Sequence, residues 1–103
     1  MYKHRMRFRV EYGKARQLVE WTDAMNALAA DKGWAKGTMW NLTFGPINIF
    51  ELEWNYESLA TFEREQKAQY GDESFMNLFR SANEFVVEGE SETELLETIG
   101  ALA

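Results

Sequence analysis

The stretch WNLTFGPINIFELEWNYES, residues 40–58, decides the fold. Trp40, Leu42 and Phe44 alternate with Asn41 and Thr43, Gly45-Pro46 punctuates the chain, and Phe50, Leu52 and Trp54 then alternate with Ile49, Glu51 and Glu53. A period of two on both sides of a turn signal is the pattern of a hairpin whose strands are covered on one face. Ser58 closes the stretch and suits the first position of a helix, where its hydroxyl accepts a hydrogen bond from an amide of the first turn.

Upstream, Met6, Phe8, Val10 and Tyr12 alternate with Arg5, Arg7, Arg9 and Glu11, which reads as a first strand ended by Gly13. Residues 14–32 place Leu18, Trp21, Met25 and Leu28 at steps of three or four, an amphipathic helix with Gly33 as its C-terminal cap. Downstream, LATFEREQKAQY continues as a helix with Leu59, Phe62 and Gln66 on one side. Gly71-Asp72 interrupts it, and Asp72 can cap a further helical piece carrying Phe75, Met76, Phe79 and Ala82. The last segment, VVEGESETELLETIG, supports two readings: Ser91 and Glu94 have capping-box spacing, whereas Val86, Val87 and the threonine-rich alternation suit an extended edge. With a strand there, the order becomes βαββαβ. This α+β, ferredoxin-like arrangement is a four-stranded antiparallel sheet with its helices on one face.

Composition bounds the size and the partners. A chain of 103 residues, 46% apolar and 15% aromatic, forms a single domain over residues 1–103 with one core. Its net charge of −6 argues against nucleic acid, whose phosphates call for a clustered basic surface. The absence of cysteine excludes disulfides, thiolate metal ligands and cysteine nucleophiles, and is compatible with a reducing compartment. The basic first residues alternate with apolar ones and have no continuous apolar run, so they do not read as a signal peptide. No stretch approaches the roughly 20 apolar residues of a membrane span, and a soluble cytoplasmic protein is expected. No GxSxG, P-loop or GxGxxG pattern occurs, and no cofactor is expected.

The segments FRVEYGKARQLVEW, the hairpin after it and the terminal EGESETELLETI follow one another as in the dimeric α/β-barrel superfamily, and most resemble NIPSNAP-type proteins. The resemblance covers nearly the whole chain as a pattern. It implies a homodimer in which the sheet faces of two protomers meet, and it brings no catalytic signature. It also implies either a small-molecule-binding or interaction module of unassigned activity, or a cofactor-independent oxygenase or isomerase acting on a small aromatic or carbonyl compound in a pocket lined by the sheet.

The open sheet face is then the place to look for a site. Four strands of about eight residues give it roughly 500 Å². Strand parity is expected to turn Met6, Phe8, Val10, Trp40, Leu42, Phe44, Phe50, Leu52 and Trp54 toward the helices. Arg5, Arg7, Arg9, Asn41, Thr43, Ile49, Glu51 and Glu53 are left on the other side. Arg7, Arg9, Asn41, Glu51 and Glu53 are the candidate pocket lining, with arginine able to orient an anionic or carbonyl group and a partly buried glutamate able to act as a base. The same residues could equally be a solvated lattice of ion pairs. His4, the one histidine, is expected to be an exposed residue at the start of the first strand, with no metal cluster around it. Trp21, Trp34, Trp40, Trp54 and Phe62 are expected in the core.

Overall fold

The alternation of arginine with apolar residues near the N-terminus produces strand β1, Tyr2–Arg9, which lies in the middle of the sheet. In the computed structural model, which describes residues 1–100, it is followed by helix α1 (Ala15–Lys32), strands β2 (Thr38–Asn41) and β3 (Ile49–Tyr56), helices α2 (Leu59–Tyr70) and α3 (Glu73–Ser81) and strand β4 (Glu92–Glu97). The sheet order is β2-β3-β1-β4, and every neighbouring pair is antiparallel. This is the ferredoxin-like order, and the terminal segment is a strand rather than a helix.

The local signals explain the boundaries. Gly33 ends α1 in the left-handed conformation at φ 74°, where an L side chain would be strained. The Ser58 hydroxyl accepts from the Thr61 amide at 3.1 Å to start α2. The Asp72 carboxylate accepts from the Phe75 amide at 2.8 Å to start α3. Arg5 lies opposite Glu53, Met6 opposite Leu52 and Arg7 opposite Glu51, so β1 and β3 share their faces as expected. On the other side of β1, Arg5 lies opposite Glu94 and Arg7 opposite Glu92.

β2 corrects the expected parity. Trp40 lies opposite Glu51 and Asn41 opposite Phe50, so Trp40 is on the open face and Asn41 on the helix side. The reason is geometric: a turn centred between Gly45 and Pro46 pairs an even-numbered residue of one strand with an odd-numbered residue of the next. Leu42, Thr43 and Phe44 lie beyond the strand, in a connection held by the Leu42 amide donating to the Ile49 carbonyl at 3.1 Å. Phe44 is 89% exposed rather than buried against a helix.

Phe8, Val10, Leu18, Trp21, Met25, Leu52 and Phe85 form the core, which fills the space between sheet and helices around the end of β1 and the start of α1. Leu18 and Leu52 are completely enclosed, and each such burial stabilises the fold by about 1.5–3 kcal/mol. Trp21 also ties α1 to α3 by donating its indole N–H to the Leu78 carbonyl at 2.8 Å. Among the described residues no helix is long and apolar enough to cross a membrane.

Candidate functional site

On the charged face of the sheet, the basic residues of β1 pair with glutamates of the same chain. Arg5 Nε donates to Glu53 Oε2 at 2.9 Å, and Lys3 Nζ lies 3.8 Å from the other oxygen of the same carboxylate. The hydrogen bond to Glu53 raises the Arg5 pKa further. Arg7 Nη1 lies 3.8 Å from Glu51 Oε1. Arg9 turns away to Glu90 at 3.2 Å and to the Ile47 carbonyl at 2.7 Å. Of the five candidate lining residues, Arg7, Arg9, Glu51 and Glu53 therefore share the open face, while Asn41 is on the opposite side. The four that share it are split among separate ion pairs, with Arg5 and Lys3 as the partners of Glu53.

The cavity lies on the other side of the sheet, beneath the helices. The helix–sheet layer is packed solid where Phe8, Leu18 and Phe85 meet. It is hollow toward the start of β1 and the end of α1, where Ala29 and Ala35 present small side chains across from the sheet. The resulting space is about 250 Å³. Its floor is His4 and Met6 of β1, Trp54 and Tyr56 of β3 and Thr93 of β4. Met25, Asn26 and Ala29 of α1 and Gln66, Gln69 and Tyr70 of α2 form its walls, and Trp34, Ala35, Phe75 and Phe79 complete it.

His4 is built into this floor rather than exposed. Its ring stacks on Trp54 with centroids 5.1 Å apart and meets the edge of Phe62 at 5.4 Å. Nε2 shares a hydrogen bond with Thr93 Oγ1 at 2.9 Å. Burial lowers the pKa of the imidazole, so the ring is neutral near pH 7. Burial, and after it the negative charge of Glu65, pushes the Tyr56 phenol up to about 12, which keeps it protonated. Among the described residues, no aspartate, glutamate, lysine or arginine lines the cavity.

Two polar contacts hold the α1–β2 connection in place as the cavity wall. Asn26 donates from Nδ2 to the Gly37 carbonyl and accepts at Oδ1 from the Gly37 amide, both at 2.8 Å. Buried Glu65 of α2 accepts from the Ala35 amide at 2.7 Å. Of the aromatic residues expected in the core, Trp21 is there, Trp34 and Trp54 line the cavity, and Trp40 is 54% exposed on the open face. The one sequence cue to this cavity was the even-numbered face of β1 and β3, where His4 and Trp54 continue the alternation of Met6 and Leu52.

The model of the NIPSNAP family matches residues 4–98. The chain belongs to the NIPSNAP family. Solved structures share the fold: an uncharacterised NIPSNAP domain protein from Burkholderia xenovorans superposes with TM-score 0.78 at 14% identity, over 98% of this chain and 97% of that one. A NIPSNAP family protein from Agrobacterium tumefaciens gives TM-score 0.73 at 15% identity, over 97% and 87% of the two chains. An antibiotic biosynthesis monooxygenase gives TM-score 0.72 at 10% identity, over 97% and 100%. At such identities the likeness of the NIPSNAP chain to these structures is one of fold. No curated protein matches it.

Proposed function

We propose that this NIPSNAP-family chain is a small-molecule-binding module that acts as a homodimer, with one cavity in each protomer and the open sheet faces as the interface. The observation that carries the reading is the cavity of about 250 Å³, because the helix–sheet layer of this aromatic-rich chain leaves space at one end. Unfilled apolar space costs stability, and a ligand that fills it returns that stability on binding. The dimer is supported by the exposure of Trp40 and Leu96 on the same face of the sheet. A cysteine-free chain fits a cytoplasmic setting. The reading as a cofactor-independent oxygenase or isomerase has only the shared fold in its favour.

Native mass spectrometry on protein purified without harsh exchange tests this. The expected species has twice the 12.0 kDa of the chain and carries added small-molecule mass. Ala29→Phe, which puts a ring into the cavity, is expected to give the same dimer without the added mass. Added mass that persists in that variant would place the ligand elsewhere, and absence of any ligand from both proteins across a small-molecule thermal-shift screen would remove the binding reading.

A further inference from the structure

We infer that the cavity takes an uncharged two-ring aromatic compound bearing one hydrogen-bonding substituent, an inference that rests on the ligand-binding reading above. Charge is decided by what the lining lacks. With no Asp, Glu, Lys or Arg among the described residues of the wall, an ionic ligand would leave water without gaining a counter-charge. Glu65 is the nearest buried charge, and it does not line the space; its Oε1 is held by the Ala35 amide at 2.7 Å, behind the wall. A cationic ligand would therefore not touch it, and an anionic one would be repelled by it.

Size and shape follow from the volume and the rings. A dry apolar cavity of about 150 Å³ accommodates benzene, so one of about 250 Å³ corresponds to two fused rings. Trp34, Trp54, Phe75 and Phe79 supply flat apolar walls that favour an aromatic occupant over a flexible chain. The polar substituent follows from the amides. Gln66 and Gln69 line the space and their side-chain amides make no hydrogen bond to the rest of the chain among the described residues, whereas the amide of Asn26 is already engaged with Gly37 through both Nδ2 and Oδ1. A purely apolar occupant would take water from these two amides and return nothing, so a ligand with one hydroxyl or carbonyl group is selected. Exposed Thr93 and Tyr70 lie on the solvent side and mark the way in.

The test uses four probes with one ring system, 2-naphthol, naphthalene, 2-naphthoate and 2-naphthylmethylammonium, titrated into the full chain at neutral pH and followed by tryptophan fluorescence and calorimetry. The expected result is that 2-naphthol binds about tenfold or more tightly than either charged probe. Naphthalene should bind more weakly than 2-naphthol, and the double variant Gln66→Leu, Gln69→Leu should abolish that difference. Binding should be lost in Ala29→Phe. Thr93→Tyr, a change on an exposed edge strand that leaves the core alone, narrows the entrance and serves the same purpose if Ala29→Phe does not fold by circular dichroism. A charged probe that binds as tightly as 2-naphthol, and loses binding in these variants, would overturn the uncharged class while leaving the cavity as a binding site. Naphthalene equal to 2-naphthol would overturn the polar substituent. No binding by any probe, or binding that neither variant affects, would overturn this inference and the ligand-binding reading together.

Discussion

Asn26 and Gly37 form an exacting contact, because one side chain supplies both the donor and the acceptor for the backbone C=O and N–H of a buried residue, at 2.8 Å each. Removing a partner from a buried polar group exposes the full desolvation cost of that group. Asn26→Ala leaves an N–H and a C=O unpaired at once and is expected to lower unfolding free energy by roughly 2–4 kcal/mol, with Asn26→Asp intermediate, read from urea midpoints. Gly37 itself admits no larger residue: a Cβ there would lie 2.7 Å from Leu52 Cδ1 and 3.0 Å from Trp54 Nε1. Gly37→Ala should therefore cost about 1–3 kcal/mol and shift the Trp54 ring that floors the cavity, visible as a changed tryptophan emission. Neither feature is written locally in the sequence. His4 shows the same difficulty, since its ring is enclosed by Trp54 and Phe62 and bonded to Thr93, residues brought to it only by sheet and helix packing.

Elements whose burial is periodic were legible, and those without it were not. The faces of β1, β3 and α1 follow from alternation and from steps of three or four, and the caps Ser58 and Asp72 mark the starts of α2 and α3 by their own chemistry. β4 is exposed at every position, so neither a period of two nor one of 3.6 is impressed on it, and its sequence suits helix and strand alike. β2 spans only four residues, and its phase is set by the centre of the turn rather than by its aromatics. The cap of α3 makes stability depend on pH. The Phe75 amide first, and Lys32 beside it, lower the Asp72 pKa below its ordinary 3.8. The charged cap therefore stabilises the fold fully above that ordinary value, and its contribution is lost as the pH falls through the lowered folded value. Urea midpoints measured between about pH 5 and pH 2 should fall less steeply for Asp72→Asn, which keeps the capping oxygen without the titrating charge, than for the parent.

At the scale of the whole molecule, charge is divided unequally. The chain carries −6, yet the open face sets Lys3, Arg5, Arg7 and Arg9 against Glu51, Glu53, Glu92 and Glu94 and so is neutral on balance. In the proposed dimer two copies would repel at long range, but these faces would meet without a net charge between them, and their alternating signs are compatible with a two-fold pairing. Trp40 at one edge and Leu96 at the other are exposed on this face and would add apolar area to the proposed contact. Trp40→Glu places an unpaired carboxylate where the ring was, on the acidic side next to Glu51. The parent is expected to sediment at twice its 12.0 kDa and the variant at 12.0 kDa, with unchanged circular dichroism because Trp40 packs against no helix. The Arg5–Glu53 pair supplies an independent measure. A pair facing water couples by about 0.2–1 kcal/mol, whereas breaking one sealed inside an interface costs about 3–5 kcal/mol. A double-mutant cycle on Arg5 and Glu53 should therefore give the larger value in the parent and the smaller one in the Trp40→Glu background. A parent that sediments at 12.0 kDa at working concentrations, with the small coupling in both backgrounds, would leave this face a solvated lattice. The cavity would still stand in that case, since every residue lining it comes from one protomer, and ligand binding should survive in the monomeric variant.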